Sequence, residues 1–234
     1  RSGIPPLLLS DAEWQAIWLT ASLAGVTTVI LLVVGTPLAW WLSRRTGNVV
    51  AAIEALVALP LVLPPTVLGF YLLLMLAPDT PLGQSWQALT GKPLAFSFEA
   101  LVIGSVIYSL PFVVQPLQQA FSRVPNSLLH AAGSLGAGPA DQFRSIVVPL
   151  TRRSFLVAAA LGFAHTVGEF GVVLMIGGNI PGETRVLSIA LYDYVESLQF
   201  AEAHRLAFGL VIFSLVTLFL LYRKAPDARW GVAR

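Results

Sequence analysis

Residues 126–150 read NSLLHAAGSLGAGPADQFRSIVVPL, and they lie between two apolar runs long enough to cross a membrane. Asn126 or Ser127 is placed to cap a first helix, and Gly136 is placed to end it in a left-handed turn. The apolar residues of this first helix recur at helical spacing and are Leu128, Ala131, Ala132 and Leu135.

A second helix is predicted directly after the turn. Gly138 and Pro139 start it, and Pro149 is expected to stop it before the next apolar run. Its apolar positions are Phe143, Ile146, Val147 and Leu150. Such a helical pair is typical of a docking surface, and equally of an amphipathic loop that lies on a membrane surface.

The spacing within the pair distinguishes these two interpretations. The stretch resembles the signature loop of binding-protein-dependent ABC import permeases, Glu-Ala-Ala, three residues, Gly, nine residues, Ile-x-Leu-Pro. In this chain His130 stands for Glu and Val148 for Leu, and both spacings are kept. The resemblance implies that the loop binds in a groove of a cytoplasmic ATPase subunit. The coupling residues would be His130, Ala131, Ala132, Gly136, Ile146 and Pro149.

Composition places the chain in a membrane. Of its 234 residues, 56% are hydrophobic and 11% are charged, which a soluble domain of this length rarely shows. The chain has no cysteine, so disulfides and thiolate metal sites are excluded. The formal charge of +2 does not indicate a nucleic-acid partner, because the basic residues cluster at the ends of apolar runs.

Five runs reach the roughly 20 residues that cross a hydrocarbon core. They are Trp14 to Leu42, Ile53 to Ala77, Phe98 to Ala120, Phe155 to Ile176 and Leu206 to Tyr222. Pro60, Pro64 and Pro65 should break or kink the second run. The sequence therefore predicts an all-α integral membrane protein with about five transmembrane helices.

Lysine and arginine are distributed unevenly between alternate loops. Ten fall on one side (Arg44, Arg45, Arg123, Arg144, Arg152, Arg153, Arg223, Lys224, Arg229 and Arg234) and four on the other (Arg1, Lys92, Arg185 and Arg205). The positive-inside rule then puts the N-terminus outside, the C-terminus inside, and residues 126–150 in the cytoplasm. One transmembrane domain would cover residues 10–223, followed by a basic cytoplasmic tail at 224–234. No signal-peptide pattern precedes the first span.

A second informative stretch is His165 to Gly171. His165 and Glu169 are four residues apart, so on a helix they share one face and can pair. An ionisable group at this depth is costly unless it faces a neighbour or water, which predicts an inward orientation. Glu169 at the outer end of a span, meeting interfacial water, is the plainer alternative. The stretch from Asn179 to Arg185 is likewise consistent with a simple turn around Pro-Gly.

The same region narrows the resemblance from ABC import permeases in general to one substrate class. Gly168-Glu169-Phe170-Gly171 followed by Asn-Ile-Pro-Gly-Glu-Thr-Arg at 179–185 is similar to the molybdate permeases of ABC importers. Trp14-Gln15-Ala16 and the run from Leu59 to Pro65 carry the same similarity. Sulfate and tungstate permeases share the general plan and are the nearest alternatives.

This resemblance implies a type I ABC importer permease fold with cytoplasmic coupling helices, in a bacterial inner membrane. It further implies a homodimer, two cytoplasmic ATPase subunits, an extracytoplasmic molybdate-binding protein, and transport by alternating access. ATP and Mg would be bound by the ATPase subunits, since no phosphate-binding loop motif occurs in this chain. No cofactor, metal site or catalytic residue is expected here.

Two further groups of residues are predicted to act in transport. The translocation path or gate would include His165, Glu169 and Phe170, and the prolines of the second span make apolar side chains between Leu63 and Phe70 the expected gate. The periplasmic loop would be formed by Asn179, Pro181, Gly182, Glu183, Thr184 and Arg185.

Two functions of other classes compete with an importer permease. An intramembrane enzyme could use His165 and Glu169 as acid and base, but it needs more polar groups at the same depth than the other spans offer. A secondary transporter driven by an ion gradient should show inverted repeats and midplane carboxylates, and the sequence shows neither.

Overall fold

The computed structural model describes residues 9–224, and every regular element within that range is helical. The helices are α1 (Asp11–Ser43), α2 (Asn48–Ala58), α3 (Pro65–Leu76), α4 (Pro81–Thr90), α5 (Phe98–Ser122), α6 (Asn126–Ser134), α7 (Pro139–Gln142), α8 (Val148–Gly168), α9 (Gly171–Gly177), α10 (Leu187–Glu196) and α11 (Phe200–Lys224). A 3₁₀ turn at Leu59–Leu61 separates α2 from α3, and a π turn at Phe143–Val147 separates α7 from α8. The predicted all-α class is confirmed.

Helices α1, α5 and α8 form the centre of the molecule. Their contact surfaces are mainly apolar, and Leu31, Val113, Val114, Leu117 and Ala158 are completely buried there. Gly162 permits the close approach of α8 to α5, because a Cβ at this position would lie 2.8 Å from Val113 Cγ2. Helix α11 packs on the outside, against α8 and α10.

Within residues 9–224, four helical segments are long and apolar enough to cross a membrane: Asp11–Ser43, Phe98–Ser122, Pro139–Gly168 and Phe200–Leu221. A fifth crossing is possible only as a broken span, because Asn48–Leu61 and Pro65–Leu76 meet at an angle of 108°. Pro60 lies in the 3₁₀ turn, Pro64 precedes α3 and Pro65 begins it. The predicted break in the second span is therefore confirmed, as is the number of about five.

The predicted fourth span, Phe155 to Ile176, is wrong as a single helix. Helix α8 ends at Gly168, Glu169 is extended with φ −70° and ψ 135°, and α9 begins only at Gly171. Helix α9 then packs against α3 and α5. The apolar run continues through the break, which is why its length alone predicted one helix.

The sequence predicted that Pro149 stops the second helix of the 126–150 stretch. This prediction is wrong. Pro149 lies in the first turn of α8, and the helical path from Pro139 to Gly168 passes through it. The π turn before it explains this, because the Val148 amide donates to the Phe143 carbonyl, five residues back. The wider turn relieves the clash that a proline ring makes with the preceding turn of a helix.

Two shorter helices and one helix start were not predicted. Helix α4 occupies the connection between the second and third spans, and α10 occupies the connection between the fourth and fifth. The last helix begins at Phe200, six residues before the predicted start at Leu206. From position 225 onward, the predicted tail lies outside the described residues. Arg1 also lies outside them.

Long-range contacts define two ends of the molecule. At the end that we call the basic end, Arg44 at the terminus of α1 hydrogen-bonds to Asn126. At the opposite end, which we call the far end, the Phe96 amide donates to the Ile176 carbonyl at 2.9 Å. The beginnings of α1 and α11 also meet at the far end, through Glu13 and Arg205. The alternation of loops that the sequence predicted is thus present in the fold.

Candidate functional site

A cavity of about 530 Å³ lies between α3, α5 and the end of α8, and it is open on one side. It brings together residues that are distant in sequence, including Pro65, Thr66, Tyr108, His165, Glu169 and Phe170. The three residues expected to line a translocation path, His165, Glu169 and Phe170, therefore border one space. In the part of the chain that the structure describes, no lysine or arginine lines this cavity.

His165 does not pair with Glu169, and the predicted pairing on one helix face is wrong. Its Nδ1 lies 2.9 Å from Ser109 Oγ on α5. Its ring stacks on Phe112, with the ring centroids 3.9 Å apart, and Tyr108 lies 4.9 Å away. Because α8 ends before Glu169, the four-residue spacing no longer places the two side chains on a common face.

The hydrogen-bond network around His165 fixes which of its ring nitrogens carries a proton. Thr166 Oγ1 donates to the Gly162 carbonyl at 2.9 Å, so its proton is used. Ser109 Oγ lies 3.1 Å from Thr166 Oγ1 and must therefore donate to it. Ser109 then accepts from Nδ1–H of His165. In the neutral ring Nε2 is left as an acceptor.

Glu169 is 4% exposed, and it belongs to the short segment between α8 and α9. Neither carboxylate oxygen hydrogen-bonds to any residue between 9 and 224. The Ser105 hydroxyl lies near the carboxylate, but its Oγ also lacks a partner within this range. The Glu169 carbonyl, by contrast, accepts from Ser188 Oγ at 2.5 Å. A buried carboxylate without partners costs free energy, which marks this position as a candidate functional residue.

Close packing of small residues explains the position of the break beside the cavity. A Cβ on Gly171 would lie 2.7 Å from Pro65 Cβ, and a Cβ on Gly69 would lie 2.7 Å from Met175 Cβ. The start of α9 therefore rests directly on the start of α3. Pro65 and Thr66 belong to the expected gate segment from Leu63 to Phe70, and they reach the cavity in this way.

The coupling segment, residues 126–150, lies at the basic end, and α6 contains no buried residue. His130, Ala131, Gly136 and Pro149 are exposed, whereas Ala132 and Ile146 are half-buried. Leu135 is 89% exposed, an unusual state for a leucine at the end of a helix. Gly136 has φ +91°, the left-handed turn that the sequence predicted.

The predicted cap of α6 is wrong. Pro125 occupies the N-cap position, and neither Asn126 nor Ser127 caps the helix with its side chain. Asn126 Oδ1 instead accepts a hydrogen bond of 2.6 Å from Arg44 Nη1. From the sequence, Arg44 was predicted only to be one of the basic residues that set the orientation in the membrane. The sequence pointed to neither Ser109 nor Tyr108. Only the depth of polar residues in an apolar span could have pointed to Ser109.

The Asn179–Arg185 stretch forms a compact turn at the far end. Arg185 Nε donates to Asn179 Oδ1 at 2.5 Å, and Arg185 Nη2 lies 3.4 Å from Asp193 Oδ2 on α10. Thr184 is completely buried, and its hydroxyl donates to the Gly177 carbonyl at 2.7 Å. Thr184 therefore holds the turn together, while the exposed members of the stretch are Asn179, Ile180, Pro181, Gly182 and Glu183.

Among residues 9–224, no cluster of three or more histidine, aspartate or glutamate side chains lies close enough together to hold a metal ion.

Comparison with protein families gives a match over residues 32–230 to the binding-protein-dependent transport system inner membrane component family. The molybdenum transport system permease protein ModB of Azotobacter vinelandii is 58% identical over 214 residues, which cover 92% of this chain and 95% of that protein. The protein of the same name in Escherichia coli K12 is 35% identical over 82% of this chain and 83% of its own length.

Solved structures with the same fold include transporter complexes. A chain of a bacterial alginate ABC transporter superposes with a TM-score of 0.74 at 15% identity, over 95% of this chain and 82% of that one. A chain of the inward-facing MetNI methionine ABC transporter superposes with a TM-score of 0.68 at 18% identity, over 94% of this chain and 99% of that one. At these identities the likeness concerns the fold alone, which is that of ABC importer permeases.

Proposed function

The chain belongs to the family of binding-protein-dependent transport system inner membrane components, and from this premise we propose that it is the permease subunit of an ABC importer for molybdate. The single observation that carries the substrate is the 58% identity to a molybdenum transport permease over nearly the full length of both chains. The fold and the multi-pass arrangement of apolar helices agree with a permease.

The proposed partners follow from the family. A second copy of the chain would close the open side of the cavity, and two ATPase subunits would each hold one coupling segment. An extracytoplasmic binding protein would deliver the oxyanion. ATP hydrolysis would then belong to the ATPase subunits and not to this chain.

The proposed orientation puts the basic end in the cytoplasm and the far end outside. The distribution of charge supports it, because Arg44, Arg45, Arg123, Arg144 and Arg152 lie in or beside the loops of the basic end. The exposed surface of α6 would then face the side on which ATP is available. The exposed part of the Asn179–Arg185 turn would face the delivery protein.

Alternating access can be described with the residues of the cavity. Movement of the coupling segments would shift α8, which continues directly from the π turn, and α8 carries His165 to the cavity wall. The break after Gly168 would let α8 move relative to α9. The scarcity of fixed positive charge in the cavity would keep the oxyanion weakly bound, so that it can leave, and affinity would reside in the binding protein.

Reconstitution tests the proposal. The chain is purified together with its ATPase, inserted into liposomes, and supplied with the binding protein and isotopically labelled molybdate. We expect ATP-dependent accumulation of molybdate and faster ATP hydrolysis when the binding protein carries molybdate. An ATPase variant that cannot hydrolyse ATP is the matched control.

Molybdate uptake in the presence of excess tungstate or sulfate compares these related oxyanions with molybdate as substrates. We expect excess sulfate to leave molybdate uptake unchanged. Uptake of sulfate in preference to molybdate would contradict the proposed substrate, and uptake without ATP would contradict the importer mechanism altogether.

A further inference from the structure

Arg44 connects the end of α1 to the beginning of the coupling segment. Its Nη2 donates to the Phe121 carbonyl at 2.9 Å, and both terminal nitrogens reach the Val124 carbonyl at 3.3 Å. Nη1 also donates to Asn126 Oδ1 at 2.6 Å. One guanidinium group thus binds the last turn of α5, the connection after it, and the first residue of α6.

The same side chain lies on an aromatic cluster. The Arg44 guanidinium carbon is 4.4 Å from the centroid of the Trp40 ring. Trp40 packs edge-on against Phe121 at 5.6 Å and against Phe143 at 5.4 Å. Because Phe143 begins the π turn, the second half of the coupling segment is attached to α1 as well.

Helix α6 is attached to the core by one half-buried leucine, Leu129, and none of its residues is fully buried. The polar contacts at its beginning therefore contribute to its position as well. A planar guanidinium with several fixed donors suits this role, since a lysine ammonium cannot make the same forked set of bonds. Burial lowers the pKa of Arg44 below its ordinary value, but an arginine stays charged at neutral pH.

We propose that Arg44 is the positioning residue that holds the first half of the coupling segment on the end of α1, beside the Trp40 ring that contacts the second half, so that α6 and α1 move as one body. This inference rests on the proposed role of residues 126–150 in receiving motion from the ATPase. Without the Arg44 side chain, α6 would still bind the ATPase. The movement of α6 would, however, not be passed to α1 and the cavity.

Distances between spin labels test the inference directly. The chain contains no cysteine, so Thr46→Cys and Ser134→Cys, both exposed, give unique sites beside α1 and on α6. Labelled chains are diluted with unlabelled chains in the full complex, so that distances within one chain dominate. We expect one narrow distance that stays the same with and without ATP. In an Arg44→Ala chain the distance should broaden and change with ATP.

Transport provides the functional measurement. In Arg44→Ala we expect the ratio of molybdate imported to ATP hydrolysed to fall at least about tenfold, because hydrogen bonds to three acceptors are lost and one such bond to a charged group already corresponds to about a tenfold change. Arg45→Ala is the matched control, because Arg45 is exposed and its guanidinium lies 6.0 Å from the Trp41 ring. It should leave both the ratio and the distance unchanged.

Two further variants separate positioning from a folding defect. Arg44→Lys keeps the charge but not the fork, and it should lower the ratio without lowering the amount of assembled complex. Asn126→Ala removes one bond and should have no added effect in an Arg44→Ala chain. An Arg44→Ala complex with an unchanged distance and an unchanged ratio would overturn the inference. If the unaltered complex does not import molybdate, the proposed substrate fails, while the distances still test Arg44.

Discussion

Arg205 Nη2 lies 2.7 Å from Glu13 Oε1, so the beginnings of α1 and α11 are joined across 192 positions of sequence. Glu13 is 1% exposed, and it also accepts from the backbone amide and hydroxyl of Ser10. The carboxylate therefore has a cationic partner and a helix-capping role at once. This arrangement fixes the outermost helix to the three-helix centre.

Replacement of Arg205 by alanine is expected to destabilise the protein strongly. The change leaves the buried Glu13 carboxylate without its cationic partner, and the loss should be about 3 to 5 kcal/mol. Thermal unfolding in detergent measures it. The matched control is Arg185→Ala, because the Arg185 and Asp193 side chains are 27% and 37% exposed and the pair should contribute no more than about 1 kcal/mol. Equal losses of stability in Arg205→Ala and Arg185→Ala would contradict the distinction between the buried and the exposed ion pair.

Ser109→Ala is expected to disturb the cavity through His165. The substitution removes the acceptor of His165 Nδ1–H, and an unsatisfied buried donor costs about 1 to 3 kcal/mol. We expect a lower unfolding temperature and slower molybdate uptake. Unfolding curves and uptake by reconstituted liposomes measure the two effects.

A double variant separates the structural effect from the functional one. In Ser109→Ala/His165→Phe both hydrogen-bonding partners are replaced by apolar groups, and a phenyl ring can still stack on Phe112. Stability should recover, because no donor is left unsatisfied. Uptake should stay low, because Nε2 is missing from the cavity. Full recovery of uptake would remove His165 from the translocation path.

Much of the fold follows from the lengths of the apolar runs, but the break at Glu169 does not. Gly168 and Gly171 are tolerated inside helices, and the contacts made at the break come from distant positions: Gly171 packs on Pro65, more than 100 positions away, and Ser188 donates to the Glu169 carbonyl. Pro149 shows the same limitation, since a π turn that the sequence does not announce lets the helix continue through it. The hydrogen bonds of Arg44 also depend on a neighbour about 80 positions away.

Glu169→Gln is expected to stabilise the protein and to slow transport. The amide keeps the shape of the side chain but cannot ionise, so folding no longer has to bury or protonate a carboxylate that has no hydrogen-bonding partner among the described residues, which should raise the free energy of unfolding by about 1 kcal/mol or more. A costly group is retained where function needs it, so uptake should fall. Glu99→Gln, at an exposed position outside the proposed sites, is the control and should change neither quantity. Loss of stability in Glu169→Gln would contradict the absence of stabilising partners.

Gly136→Ala is expected to uncouple ATP hydrolysis from uptake. No neighbour lies within 4 Å of the added Cβ, so the cost is backbone strain at φ +91°, about 1 to 2 kcal/mol for an L residue. The turn between α6 and α7 would relax, and the two halves of the coupling segment would lose their relative position. Gly138→Ala is the matched control, because its site is equally open and its φ is −71°. The ratio of uptake to ATP hydrolysed should fall only in the Gly136 variant.

Cysteine labelling tests the proposed orientation on which the coupling role depends. Ala131 on α6 and Glu183 in the far-end turn are both exposed, and the chain has no cysteine of its own. In intact cells a membrane-impermeant thiol reagent should label Glu183→Cys but not Ala131→Cys. Inside-out vesicles should give the reverse, although bound ATPase will slow labelling at Ala131, so the vesicles are stripped of it first. Labelling of Ala131→Cys in intact cells would invert the topology, and α6 could then not meet an ATPase that works in the cytoplasm.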